Sequence, residues 1–551
     1  MRADQTIACD VLVVGAGLAG LRAAYDAARA GCKVLIAAKA KLCSGASFYP
    51  LTAGLGSQLP KDQADVSLFM EELLDSGAGI ADENLCRIMV EEIEGEIKRL
   101  PDIGITPEEF GGRVACFAKR ERKLVRWSDW NKIRNNVRNN FSEIPNIKVM
   151  EFCDLLKLTV RDNAVCGAVL CDNTENIVYV NTPAVILATG GYCGLYKHSL
   201  NTDDVCGIGH SVALEAGAKL INLEFMQFIP GLMSPIYKLL FGEMSLQYCV
   251  EVTDENGNPA LRNYLPKNVS FEDCLNDRSM HGPFTCADKS MYFDLSMMDY
   301  AIKQKSEKGF TLRFSPEIAK KDNEFLRKTL DFYLKNGIDL SKQGISVAPF
   351  AHCANGGIWI NEHGETGVEG LFAAGETAGG IHGADRHGGA ATSVCLVFGR
   401  RAADRAVKYI KTHKPADIPS ERAVKEIYEW IDNGATSGIS PQEILYNLKE
   451  RLWFYANVIR NENNLTETLS WVKEMQKHYN AAKAIRSGYD IKLSMKAFHA
   501  LRTSQAVLSA MLFRKESRGS HYREDYPESD DSLYGKRIIA EEKNDILVCY
   551  T

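Results

Sequence analysis

Three glycines spaced Gly15-x-Gly17-x-x-Gly20 follow an apolar stretch that begins near Cys9 and open a run with helical periodicity. That spacing cradles a dinucleotide: the first glycine allows the tight turn, the second lets backbone approach a pyrophosphate, and the third lets the helix pack on the strand. The helix N-terminus then offers unpaired N–H groups and partial positive charge to the phosphates. A second apolar strand ends at Ala37, and Ile36-Ala37-Ala38-Lys39 puts a lysine where an acid would hold a ribose. This argues against NAD.

Such a fingerprint needs a parallel sheet to carry it. Ala184-Val-Ile-Leu-Ala-Thr-Gly-Gly191 and Gly370-Leu-Phe-Ala-Ala-Gly-Glu376 read as buried strands that end in small-residue turns, the form in which such a sheet delivers backbone to a cofactor. Between them, residues 223–344 read as a polar, loop-rich insertion. Beyond Pro415 the pattern becomes helical: Val424, Ile427, Tyr428 and Ile431, then Leu445, Leu448, Leu452 and Tyr455, then Leu465, Leu469, Val472 and Met475. These are expected to be core stripes of a bundle. The tail after Ser529 reads as short, charged and without repeat.

At 551 residues the chain holds about three or four domain-sized units, and 45% hydrophobic with 25% charged residues is ordinary for a soluble globular protein. A net charge of −6 gives no footprint for nucleic acid. No apolar stretch is long enough to span a bilayer and no signal-peptide pattern precedes Cys9, so neither membrane insertion nor export is expected. The sixteen cysteines lie singly, with no C-x-x-C pair. No metal or iron–sulfur site is therefore expected on this chain, and scattered thiols suit a reducing cytoplasm.

Six segments, in order, resemble the flavoproteins of fumarate reductase, succinate dehydrogenase and L-aspartate oxidase. They are the Gly15 fingerprint, the Ala188–Gly191 turn, NLEFMQFIP at 222–230, PFAHCANGG at 349–357, the long block 370–401, and RKESRGSHYREDYP at 514–527. The resemblance implies an α/β fold: a Rossmann-like FAD-binding domain from residues 1–222 and 345–415, an α+β capping domain at 223–344, and a C-terminal helical domain with its tail at 416–551. It implies FAD contacts at Gly15, Gly17, Leu18, Ala19 and Gly20, at Ala38 and Lys39, and at Ser44, Ser47 and Gly54. Further contacts are implied at Ala188, Thr189, Gly190 and Gly191, at Gly375 and Glu376, the latter holding the ribityl chain, and at Arg386, Gly389, Ala391, Thr392 and Ser393. Covalently flavinylated relatives carry a histidine where this chain has Phe48, so FAD is expected to be noncovalent.

The resemblance also implies hydride transfer at a carbon beside a carboxylate, which needs cations to hold the acid and a positioned proton donor. His352 and Arg386 match the carboxylate binders, with His382 and His387 as weaker candidates. Three departures stand out. Ile229 replaces a histidine in Gln227-Phe-Ile-Pro230, Gly207-Ile-Gly209 replaces a glycine–aspartate–glycine turn, and Gly111–Ala115 replaces a glycine–glycine–histidine–serine segment. The capping-domain arginine that delivers the proton is missing, with Ala287 or Lys289 in its place; Lys289, Arg278 and His281 are the candidate substitutes. The expected substrate is a small organic acid, with an iron–sulfur or other electron-transfer protein as partner. L-aspartate oxidase and a non-catalytic electron-relay subunit are the alternatives.

Overall fold

The computed structural model describes residues 3–110, 115–320, 323–414, 418–432, 439–481, 488–544 and 546–551. Its centre is a five-stranded, all-parallel sheet in the order Leu371–Ala373, Val185–Leu187, Val11–Val14, Val34–Ala37, Ile147–Met150. Four of these strands are buried along their whole length, as continuous aliphatic runs must be when both faces of a parallel sheet are covered. One cover is the helix Leu18–Arg29, with Ala390–Tyr409 packed across it. These two helices touch so closely that a Cβ on Gly399 would stand 2.7 Å from the Ala19 carbonyl oxygen.

A second sheet, Gln5–Ala8, Ile177–Asn181, Ala164–Cys171 and Asp154–Arg161, separates two cores by its period of two. Leu155, Val165, Leu170, Val178 and Val180 face the central core, while Leu156, Cys166, Val169, Cys171, Ile177 and Tyr179 meet Val424, Ile427, Ile491 and Met495 of the C-terminal helices. Of the expected helical stripes, Leu445, Leu448, Leu452, Leu465, Val472 and Met475 are buried, Leu469 and Tyr455 are partly so, and the side chains of Tyr428 and Ile431 lie outside the described residues.

The insertion is more ordered than its composition suggests. An antiparallel sheet runs in the order Met226–Ser234, Ile345–Ala354, Phe310–Phe314, Cys249–Thr253, and it has its own core around Leu246, Leu275, Phe293, Leu312, Leu326 and Val347. The sheet continues past residue 344 to Ala354, because Ile345–Ala354 pairs along the whole length of Met226–Ser234. The tail also departs from expectation. Ile539–Lys543 and Ile546–Tyr550 form a hairpin that joins Leu220–Ile221 and Gly357–Trp359 in a fourth sheet. Its first strand carries Glu541, Glu542 and Lys543 in succession, so the residues read as a charged tail although Ala540 and Glu541 are buried.

The block 514–527 is a buried ionic knot. Arg514 Nε donates to Glu224 at 2.8 Å and its Nη1 to Glu516 at 2.7 Å, while Arg460 Nη1 donates to the Glu224 carbonyl at 2.8 Å. It fastens the C-terminal region to the root of the strand Met226–Ser234. Among the described residues no helix is long and apolar enough to cross a membrane.

The contact at Gly399 gives a direct test of the helix pair. Gly399→Val would force the two helices apart or strain their side chains, at a cost of about 1–3 kcal/mol, measured as a loss in urea or thermal denaturation with cofactor content recorded beside it.

Candidate active site

A groove of about 110 Å3 lies over the carboxyl ends of the parallel strands. Gly15, Gly17, Leu18, Ala19, Ala38, Lys39, Ser44, Ser47, Ala188, Thr189, Gly190, Gly375 and Glu376 all line it. The turn at Gly15 has φ +114°, and a Cβ there would fall 2.1 Å from the Ala188 oxygen, so only glycine lets the two strand ends lie this close. Gly20 does not line the groove; a Cβ there would meet the Gly15 carbonyl at 2.1 Å, which makes it the helix-packing glycine. Gly191 likewise lies behind, against Glu376. The residues at the altered Gly207–Gly209 turn are accommodated: Ile208 lines the groove, and Gly209 leaves room for the Thr189 hydroxyl.

Lys39 Nζ lies 3.1 Å from Asp154, which fixes the lysine at the rim. The Leu18 N–H donates to Ser47 Oγ at 3.3 Å, tying the loop to the start of the first helix. Glu376 accepts a hydrogen bond from the Ala354 N–H at 2.9 Å, and burial pushes its carboxyl above the usual carboxylate range.

The groove runs into a larger cavity of about 370 Å3, with Ala46, Ser47, Glu376 and Cys395 common to both. On one side stand Gly54 and the N-terminal end of the helix Ala390–Tyr409, with Gly389, Ala391 and Thr392 lining the space. Ser393 lies one residue behind, its hydroxyl donating to the Gly389 carbonyl at 3.2 Å. That helix end stabilises negative charge placed before it. On the other side the inserted unit contributes Ile229, Leu240, Phe241, Glu243, Gly282, Phe325, Phe332 and Tyr333.

His352, His382 and Arg386 line one end of this cavity. Arg386 is 8% exposed, its Nε donates to Gln227 Oε1 at 3.2 Å, and Nη1 points to the His387 carbonyl at 3.4 Å. Among the described residues no carboxylate lies within ion-pair distance of it. Burial, assisted by the Arg386 charge, holds both His352 and His382 down at about 3, so at neutral pH they are hydrogen-bonding groups and not cations. His352 is held by its carbonyl, which accepts from Asn201 Nδ2 at 2.9 Å, while its ring Nδ1 has no protein partner among the described residues. His387 faces away from the cavity, between Gln58 at 3.2 Å and Glu72 at 3.9 Å.

The structure places the three proton-donor candidates off the cavity lining. Arg278 is fully buried and bound by Asp294 through Nε at 2.7 Å and Nη2 at 3.3 Å. Lys289 is half exposed, 4.0 Å from Asp273. His281 stacks on Phe117 and hydrogen-bonds the Pro283 carbonyl at 2.7 Å. None of the three lines the cavity; the helix Met291–Gln304 brings Asp294 to Arg278, a tertiary pairing that residue type alone does not reveal. The basic run 119–126 is similarly committed, with Lys119 on Asp75 and Arg120 and Arg122 on Glu72. Residues 111–114 of the altered Gly111–Ala115 segment lie outside the described residues, and Ala115 lines the cavity.

Sequence reasoning missed Gln227, Asn201 and Glu243. Gln227 and Ile229 share a strand face by alternation, which could have flagged the glutamine once Ile229 was singled out. Glu243 carries no local signal.

An FAD binding domain model matches residues 10–392, and a fumarate reductase flavoprotein C-terminal model matches 446–550. The chain is similar to a subunit of the CoM/CoB fumarate reductase of Methanothermobacter marburgensis, 29% identical with 95% of each chain covered. It is also similar to L-aspartate oxidase of Yersinia pestis, 26% identical with 96% of this chain and 98% of that one covered. Among solved structures, Sdh1 of Mycobacterium smegmatis in complex with UQ1 superposes with a TM-score of 0.84 at 24% identity, covering 99% of this chain and 94% of that one.

One prediction comes from the residue beside Arg386. Asp385 is buried, its Oδ2 accepting from Thr285 at 2.7 Å while Oδ1 has no partner among the described residues, and burial pushes it up to about 7. Unfolded, it would ionise near pH 4, so the folded state loses stability as pH rises from about 4 to about 7. Asp385→Asn removes that loss. Melting temperatures of wild type and variant should therefore shift in the variant's favour between pH 5 and pH 8; a difference independent of pH would contradict the burial of an uncharged carboxyl here.

Proposed function

The chain belongs to the family of FAD-binding flavoproteins that contains fumarate reductase, succinate dehydrogenase and L-aspartate oxidase, and we propose that it adds or removes hydrogen across a carbon–carbon bond beside a carboxylate. It is an FAD-dependent oxidoreductase. The observation that carries the reaction class is Arg386: a buried guanidinium oriented by Gln227, opening into a cavity, with no carboxylate of the described residues within ion-pair distance. Leaving a charge buried and unpaired costs several kcal/mol, and a substrate carboxylate removes that cost while accepting a two-pronged hydrogen bond.

In this reading the groove residues from Gly15 to Glu376 hold the adenosine diphosphate and ribityl portions, and Gly54, Gly389, Ala391 and Thr392 bound the ring. When bound, FAD supplies hydride donation and acceptance at its N5. Arg386 grips the carboxylate, and the neutral rings of His352 and His382 donate one hydrogen bond each. Glu243 stands on the inserted side of the cavity, and with Arg278, Lys289 and His281 placed elsewhere it is the acid we assign to carry the proton. The inserted unit, residues 223–344, acts as the cap that excludes water over residues 1–222 and 345–415, and 416–551 forms the C-terminal buttress. An iron–sulfur or other electron-transfer protein is the proposed source or sink of electrons.

Two outcomes are expected. Phe48 stands where a linking ring nitrogen would be, so acid precipitation should release all the FAD into the supernatant; flavin retained on the precipitate contradicts this. Arg386→Lys keeps the charge and loses the fork, so reoxidation of the anaerobically reduced protein by an enoate should fall by about 100-fold or more with FAD content unchanged. An active lysine variant, or reoxidation by no acid in a panel that includes fumarate and 3-phenylpropenoate, would remove the assignment.

A further inference from the structure

The carboxylate clamp and an apolar wall occupy neighbouring places on one face of a single strand. In Met226–Ser234, Gln227 holds Arg386 Nε, and Ile229, the next residue on that face, lines the cavity. The side is closed by Gly282, where a Cβ would stand only 2.7 Å from Ile229 Cδ1. On the same inserted side the helix Glu324–Lys335 presents Phe325, Thr329 and Phe332, spaced as one helical face requires, and Phe241 lies on the same lining.

The charges at the clamp end suit one carboxylate. His352 and His382 are neutral rings, so among the described residues Arg386 is the cation there. The other guanidinium on the described lining, Arg126, extends from the strand Lys123–Trp127 and donates to the Ala53 carbonyl at 3.3 Å. Glu243 and Glu376 add negative charge to the lining. A second carboxylate set against Ile229 and Phe241 would lose its hydration to aliphatic and aromatic side chains.

Resting on the reaction class proposed above, we infer that the substrate is a monocarboxylate whose reacting carbon–carbon bond bears a bulky apolar group, aryl or branched alkyl. Ile229, Phe241 and Phe332 form the pocket for that group and set the preference against dicarboxylates.

The test is titration calorimetry of the FAD-loaded, dithionite-reduced protein with 3-phenylpropanoate and with succinate, two saturated acids that reduced flavin cannot hydrogenate. 3-Phenylpropanoate should bind at least about tenfold more tightly, as burial of a ring predicts. Ile229→His should narrow that ratio about tenfold or reverse it. Phe332→Ala should weaken 3-phenylpropanoate about tenfold and leave succinate unchanged, with FAD content confirming that each variant folds. Tighter succinate binding by the wild type, or a Phe332→Ala ratio equal to wild type, overturns the pocket assignment. Reoxidation of the reduced protein by 3-phenylpropenoate and by fumarate separates this from the reaction class: a preference for 3-phenylpropanoate with no reoxidation by either enoate supports the pocket and overturns the reaction, whereas a succinate preference with rapid fumarate turnover does the reverse.

Discussion

A guanidinium taken out of water with no carboxylate of the described residues within ion-pair distance is the constraint around which the rest of this molecule is arranged. Arg386 reaches from the loop before the helix Ala390–Tyr409 to the strand Met226–Ser234, where its Nε donates to a neutral amide, Gln227. Such a residue is held in place by everything around it. Gln227 is fixed because its strand pairs along Ile345–Ala354, and that strand carries His352 to the same end of the cavity. The root of Met226–Ser234 is anchored in turn by Glu224, which is bound by Arg514. The ionic knot of Arg514, Glu516, Arg518 and Arg460 thus acts at a distance, through position. Within it Arg514 and Arg518 are paired with Glu224 and Glu516, whereas Arg386 faces a cavity with no carboxylate of the described residues within ion-pair distance.

The two sides of the cavity divide the work by their chemistry. The FAD-binding side is built from small residues and helix ends because backbone must approach a large planar ligand closely, which Gly15, Gly389 and the Ala188–Gly190 turn allow. The inserted side is built from large side chains, and its separate hydrophobic core allows it to act as a unit against that bed. Closure by such a unit would exclude water and strengthen the pull of Arg386 on a carboxylate.

Much of this was legible in the sequence, and the boundary of legibility has a physical cause. The glycine spacing, the apolar strands and the helical stripes are local patterns, and local patterns are enforced by backbone geometry and burial within one element. The roles of Arg278 and Lys289 were not legible because they depend on what faces them: Asp294 reaches Arg278 from a later helix, and Lys289 is left at the surface. Gln227 and Glu243 were missed for the opposite reason, since their residue types suggest no special chemistry until the fold places them beside Arg386 and on the cavity wall. The final hairpin was unreadable because its first strand carries three consecutive charged residues, although Ala540 and Glu541 are buried.

The central claim is that Arg386 and His352 form a carboxylate receptor with an apolar pocket beside it. A crystal structure of the FAD-loaded protein with bound 3-phenylpropanoate tests it most directly. The account predicts both carboxylate oxygens within hydrogen-bond reach of Arg386, one of them shared with the His352 ring, and the phenyl group against Ile229 and Phe332. A carboxylate seated elsewhere, with Arg386 turned onto a protein acid, would contradict it.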